Sequence, residues 1–263
     1  MYAFDIERPS SVEEAARKLG VEDAQVLGGG QTLIPTLKQR LAQPSVLVSM
    51  TSIPDMAGVS ATQEPGVLVG GATTHAEVAR EAAAIYPALA ALAGNIGDPA
   101  VRNRGTIGGS LANNDPSACY PAAALGSGAT IYTNRREIAA DDFFQGLFET
   151  ALEDGEIITS VRFLAPEKAN YQKFVQPASR FALVGVFVAK YTDGVRVAVT
   201  GASEEGVHRW SAAEEALSAS FAPDALADLS VPADGLISDL HGSPEYRAHL
   251  VKVMTGRAVA AAS

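Results

Sequence analysis

A short apolar run, Ala24-Gln25-Val26-Leu27, is broken by Gly28-Gly29-Gly30, and helical spacing then resumes with Leu33, Ile34, Leu37 and Leu41. A strand that turns through glycines into a helix leaves few architectures open. The glycines let successive backbone N–H groups turn toward one point without Cβ interference, and the helix adds the positive end of its dipole. That pairing favours a phosphate group, with Thr32 placed either to cap the helix or to offer its hydroxyl to the anion. The same residues also read as a plain tight turn. A Rossmann dinucleotide site fails in detail: GxGxxG needs glycine where Leu33 stands, and no acidic residue lies about 20 positions further on. Gly126-Ser127-Gly128 fails as well, because it precedes an expected strand.

A second glycine-rich stretch lies at 95–116, reading NIGDPAVRNRGTIGGSLANNDP. The region from Gly94 to about Pro121 is expected to be long and irregular, and such loops in compact domains are usually functional. Gly108-Gly109 is placed to present N–H groups, and Thr106, Ser110 and Asn113 add small hydrogen-bonding side chains. Two such loops in one domain suggest a ligand with two phosphates held between them. Hydrogen bonds to a charged group contribute roughly 1.5–3 kcal/mol each, so a handful with some apolar burial reaches the nanomolar range, about -12 kcal/mol. Backbone donors also reconcile an anionic ligand with a net charge of -10, a charge that argues against nucleic acid as a partner. Arg102-Asn103-Arg104 is the one short basic stretch nearby.

The rest of the chain is ordinary for a globular protein: 263 residues, 47% hydrophobic and 19% charged, enough for one large domain or two modest ones. Ser10/Glu13, Ser11/Glu14 and Thr74/Glu77 have capping-box spacing. The expected helices run over about 12–19, 33–41, 75–84, 87–93 and 141–152, then from about Ser211 and from Ser243-Pro244 onward. Expected strands lie at 46–48, 67–69, 129–132 and 156–163. Residues 166–170 read as a polar linker. Beyond it, 181–191 and 195–200 form a hairpin around Thr192-Asp193-Gly194, with the alternation of a sheet buried on one face. Strands followed by helices suggest an α+β C-terminal part. The sole cysteine, Cys119, excludes an internal disulfide and cannot by itself hold an iron–sulfur cluster. The four histidines show no zinc-ligand spacing. With no basic start, no signal-type run and no span of about 20 apolar residues, the expectation is a cytoplasmic protein.

The motifs resemble a known family. Gly28-Gly29-Gly30-Gln31-Thr32 is similar to the first FAD pyrophosphate loop in the medium subunit of molybdenum hydroxylases of the carbon monoxide dehydrogenase and xanthine dehydrogenase type. Residues 101–111, VRNRGTIGGSL, are similar almost letter for letter to that family's second FAD loop. Phe143 to Thr150, Phe181 to Val186 and Ser243-Pro244-Glu245-Tyr246-Arg247 are family-like too. The resemblance implies a two-lobed FAD-binding domain like that of vanillyl-alcohol oxidase over residues 1–166, its lobes at about 1–58 and 59–166. A small α+β domain with a three-stranded antiparallel sheet would cover 167–263. It implies that Gly28, Gly29, Gly30, Gln31, Thr32 and Leu33, with Thr106, Ile107, Gly108, Gly109 and Ser110, cradle the pyrophosphate. Asn113 would reach the pyrophosphate or ribityl region, Ile96 would lie near the isoalloxazine, and Ile157 and Gln176 would touch the flavin. Two departures stand out: Asn113-Asn114-Asp115-Pro116 replaces a common His-Ala-Asp-Pro, and Cys119 stands where the family has a flavin-contacting Asp. By resemblance, a large subunit carries molybdenum cofactor and a small one two [2Fe–2S] clusters, assembled as a dimer of heterotrimers. Electrons reach FAD here and leave to an external acceptor. The rival readings are a self-sufficient flavin oxidase, for which His75 or Tyr120 would have to serve as base, and a flavin-free scaffold.

Overall fold

In the computed structural model, which describes residues 1–262, the chain is built around three sheets with one small hairpin. The first sheet holds β1 (Asp5–Glu7), β2 (Ala24–Leu27) and β3 (Val46–Ser49), all parallel in the order β1-β3-β2. Parallel strands need crossovers, supplied by α1 (Val12–Lys18) and α2 (Leu33–Lys38). Ser11 caps α1 by accepting from the Glu14 N–H, while the Glu14 carboxylate accepts from the backbone and hydroxyl of Ser10, so the two overlapping capping boxes merge into one. The second helix stops earlier than its apolar spacing suggests. Arg40 takes φ +60° and Leu41 is exposed.

The second sheet is antiparallel. Its strands are β4 (Val59–Ala61), β5 (Gly66–Gly70), β6 (Thr130–Thr133), β7 (Glu137–Ala139) and, after the two-stranded hairpin β8 (Phe144–Gly146) and β9 (Glu149–Thr150), β10 (Ile158–Leu164). The order is β4-β5-β10-β6-β7, so β10 returns to the centre. Between β5 and β6 run five helices: α3 (His75–Glu81), α4 (Pro87–Gly94), α5 (Pro99–Arg102), α6 (Ile107–Asn113) and α7 (Cys119–Gly126). The Thr74/Glu77 capping box forms in full. The expected irregular segment at 94–121 is therefore corrected to short helices: Asp98 and Pro99 start α5 and Thr106 caps α6, while α7 begins after Ala118 with no side-chain cap. The expected helix at 141–152 is corrected as well. Only α8 (Ala140–Phe143) is helical, and Asn114, at φ 39°, holds the following hairpin by donating to the carbonyls of Gly146 and Glu149.

The third sheet, β11 (Lys168–Val175), β12 (Ala182–Tyr191), β13 (Gly194–Thr200) and β14 (His208–Arg209), is antiparallel in that order. The expected polar linker thus opens a strand, and the expected three strands gain a two-residue fourth. Helices α9 (Ser211–Ala219) and α10 (Pro244–Ala261) follow. The hairpin alternation is real, but the single buried face is not. Val184, Val186 and Val188 pack under α9 and α10, while Phe187 and Ala189 join the core of the second sheet with α4 and α7. Every residue from Ala182 to Ala189 is buried, because helices cover both faces. The family-like Arg247 pins this layer: its buried guanidinium donates to the carbonyls of Leu183 and Gly201, each at 2.7 Å, and pairs with Asp239.

Candidate functional site

A cleft of about 860 Å³ opens where the first sheet, the second sheet with its helices, and the 176–181 turn meet. Its centre is the junction of the two glycine loops. A Cβ on Gly29 would lie 1.9 Å from the Arg104 carbonyl oxygen and 2.6 Å from the Gly105 Cα, so the backbones touch and only glycine fits. Gly28 lies less tightly against the second loop: its Cβ would meet the Thr106 hydroxyl at 2.9 Å and the Gly109 Cα at 3.6 Å. Gly30 has φ +72°, the left-handed turn that sends the chain from β2 into α2.

The two loops differ in where their donors go. The backbone N–H groups of residues 29–33 donate to no acceptor in the described chain, and Thr32 makes no side-chain cap. They form a nest of free donors at a helix start, on the wall of the cleft. In the second loop the expected free N–H groups are already engaged. Ile107 donates to the Thr73 carbonyl, Gly108 to that of Gly71 at 2.9 Å, and Gly109 to the Thr106 hydroxyl at 3.2 Å. What this loop turns to the cleft is the Cβ-free edge of Gly109 and the side chains of Ser110 and Asn113, which have no hydrogen-bond partner in the chain.

The remaining walls come from further along. Ile96 and the buried Ile157 add apolar surface. Glu156 locks the Leu152–Ile157 stretch: its sealed carboxylate takes two bonds from Arg136, one from the Thr133 hydroxyl and one from the Glu153 N–H. The Arg136 hydrogen bonds, first, hold its carboxyl down to about 2. Opposite, the Lys173 ammonium donates to the carbonyls of Asn95 (2.6 Å) and Arg180 (3.1 Å) and lies 3.7 Å from the Cys119 sulfur. Burial pushes the Cys119 thiol up, so all three partners of that cation are neutral.

Of the residues expected at a cofactor site, all but Ile107 and Gln176 line this cleft. Ile107 points into the core and is fully buried. Gln176 shapes the turn beyond the cleft, accepting from the backbone and hydroxyl of Ser179. Sequence reasoning missed Lys173, Arg180, Phe181, Asp115 and the 152–156 stretch, all of which line the cleft. The signal for Lys173 lay in the alternation of Ala169 and Tyr171 within a stretch otherwise too polar to stand out as a strand. Among the described residues no cluster of His, Cys, Asp and Glu could hold a metal ion, and no helix is long and apolar enough to cross a membrane.

The chain is similar to known proteins over nearly its whole length. The profile of a family described as the FAD binding domain in molybdopterin dehydrogenase matches residues 2–165. The chain is 35% identical to the nicotine 6-hydroxylase medium subunit of Paenarthrobacter nicotinovorans, over 95% of this chain and 94% of that one. It is 31% identical to the carbon monoxide dehydrogenase medium chain of Hydrogenophaga pseudoflava, over 98% and 96%. A solved structure of carbon monoxide dehydrogenase from Oligotropha carboxidovorans superposes with a TM-score of 0.88 at 30% identity, covering 98% of this chain and 97% of that one.

Proposed function

Because the chain belongs to the family of FAD-binding subunits of molybdopterin dehydrogenases, we propose that it is the electron-relay subunit of such an oxidoreductase complex, holding FAD where the two glycine loops meet. The observation that carries this reading is the nest of five unpartnered N–H groups at 29–33, set against a second loop in backbone contact with it. Backbone donors of this kind suit a pyrophosphate and need no compensating cation. Ser110 and Asn113 add side-chain hydrogen bonds from the second loop. Ile96 and Ile157 offer the apolar surface an isoalloxazine ring requires, and the Lys173 ammonium stands where negative charge on a ligand would be favoured.

Bound FAD supplies a carrier that takes electrons from iron–sulfur centres and passes them to an external acceptor. This chain's part is to bind, orient and enclose it. With one cysteine and no cluster of metal ligands among the described residues, the iron–sulfur and molybdenum centres fall to other chains. We assign them to a small subunit with two [2Fe–2S] clusters and a large subunit with molybdenum cofactor, the whole a cytoplasmic dimer of heterotrimers. Residues 1–58 and 59–166 are assigned to the two lobes that grip FAD, and 167–263 to a domain that backs the cleft through Lys173 and the 179–181 turn.

The test is the visible spectrum of the purified chain, with the cofactor released and identified. FAD at about one per chain is expected. In the reconstituted complex, substrate should bleach that flavin only when the iron–sulfur subunit is present. A folded chain that takes up no added FAD would sink this reading and leave the scaffold alternative.

A further inference from the structure

His75 opens α3 at the back of the cleft, is 5% exposed, and has no hydrogen-bond partner at either ring nitrogen. Its ring packs against Tyr120, centroids 5.2 Å apart, and its backbone N–H donates to the Gly105 carbonyl. The two nitrogens differ. Nδ1 is sealed from solvent, whereas Nε2 is not among the sealed unpartnered atoms. Nε2 also lies beneath the glycine-loop junction: a Cβ on Gly105 would sit 2.5 Å from it. Glycine at 105 therefore leaves bare the ring edge that any other residue would cover.

We infer that His75 is a further FAD-binding residue, which presents a neutral Nε2–H donor to an oxygen or nitrogen acceptor of the cofactor at the junction of the two loops. The tautomer follows from the geometry. A proton on Nδ1 would be a buried donor with no acceptor, among the rarest arrangements in folded proteins, whereas an unpartnered acceptor at Nδ1 is better tolerated. The proton then sits on Nε2, the one nitrogen with access to the cleft. Burial, and after it the Arg102 charge, holds the imidazole at about 4, so the ring stays neutral and keeps a single N–H through the physiological range. A buried polar side chain with no protein partner is costly in the free chain, and a ligand that accepts from it removes that cost. The inference rests on the reading that the cleft takes FAD.

The test uses the flavin-stripped full chain titrated with FAD, followed by quenching of flavin fluorescence, beside thermal unfolding of the same flavin-free protein. His75→Leu keeps most of the volume and removes the donor. It should weaken FAD binding by about tenfold or more, while the flavin-free melting temperature stays level or rises, because an unsatisfied polar group has been replaced by an apolar one. His75→Gln, which retains an N–H donor, should restore most of the affinity. FAD binding by His75→Leu within about twofold of the wild type would overturn the assignment. So would a fall in flavin-free stability with equal FAD loss in both variants, which would make the ring a packing element. A wild-type chain that takes no FAD would remove the proposed function, and this inference with it.

Discussion

Residues 28–33 and 101–110 meet in backbone contact on one wall of the cleft, each with three glycines, yet they handle their backbone donors in opposite ways. The first loop leaves the N–H groups of 29–33 without acceptors. The second commits the N–H groups of Ile107, Gly108 and Gly109 to Thr73, Gly71 and Thr106. The first is thus the candidate binding surface, its shape supplied by contact with the second. The second is a strut, tied through β5 and α3, which offers side chains and a bare glycine edge. Glycine serves close backbone approach in both, but only in the first does it also free donors.

Substitutions at the two loops should separate these roles. Gly29→Ala drives a methyl into the Arg104 carbonyl and forces the loops apart. It should cost about 3 kcal/mol or more of stability and leave almost no FAD bound, read as the flavin-to-protein ratio and the melting temperature. Gly109→Asp keeps the fold, since an added Cβ meets only the Thr106 hydroxyl, at 3.0 Å. It sets a carboxylate in the cleft where like charges about 4 Å apart repel by about 4 kcal/mol at intermediate screening. A loss of FAD affinity of about a hundredfold at near-normal melting temperature is expected, and unchanged loading would remove the second loop from the site. Thr106→Val deletes the cap on α6 and should lower stability by about 1 kcal/mol with a smaller loss of FAD. Cys119→Asp places a carboxylate beside the Lys173 ammonium; titration should show FAD held as well or tighter, and a collapse of binding would mean the pocket rejects the charge.

The smallest effect is one of pH. Glu156 has its carboxyl held at about 2, well under the usual 4.5, chiefly by Arg136. Its contribution to stability is therefore complete above about pH 4.5 and is lost as pH falls toward about 2. Glu156→Gln should flatten unfolding curves across that window. Identical acid limbs in variant and wild type would show that the 152–157 stretch is held by other contacts.

Much of the candidate site was legible in the sequence because both loops are built from few residue types, glycine and small polar residues, in a compact order. The order strand, glycine turn, helix from Ala24 onward, the Thr74 capping box, the hairpin around Thr192-Asp193-Gly194 and the start of the terminal helix at Ser243-Pro244 all read correctly from local pattern, although α2 ends at Lys38, short of Leu41. What stayed hidden was set by tertiary context. Helices α5, α6 and α7 are too short and too rich in glycine and proline to show an apolar period, and α7 is buried on every side. Strand β11 is masked by Lys168, Asn170, Gln172 and Lys173, and the side chains of the last three find partners only after folding. Local pattern suggested that the glycine pair in α6 presents free N–H groups; the Gly71 carbonyl, far along the chain, engages that of Gly108, and the Thr106 hydroxyl engages that of Gly109.

Strand β12 is buried on both faces, its Phe187 set between Tyr86 and Tyr171 in the core of the second sheet while its valines belong to the core under α10. The sheet that follows residue 166 is thus the middle layer of a stack, and the largest core of the matched 2–165 region is completed from beyond it by Ala169, Tyr171, Phe187, Ala189 and Ala198. The mechanical unit is larger than the motif-bearing unit: heat or denaturant should melt the cofactor-gripping half and the C-terminal half as one cooperative block, and the grip on the flavin is only as durable as a strand that never touches the cleft.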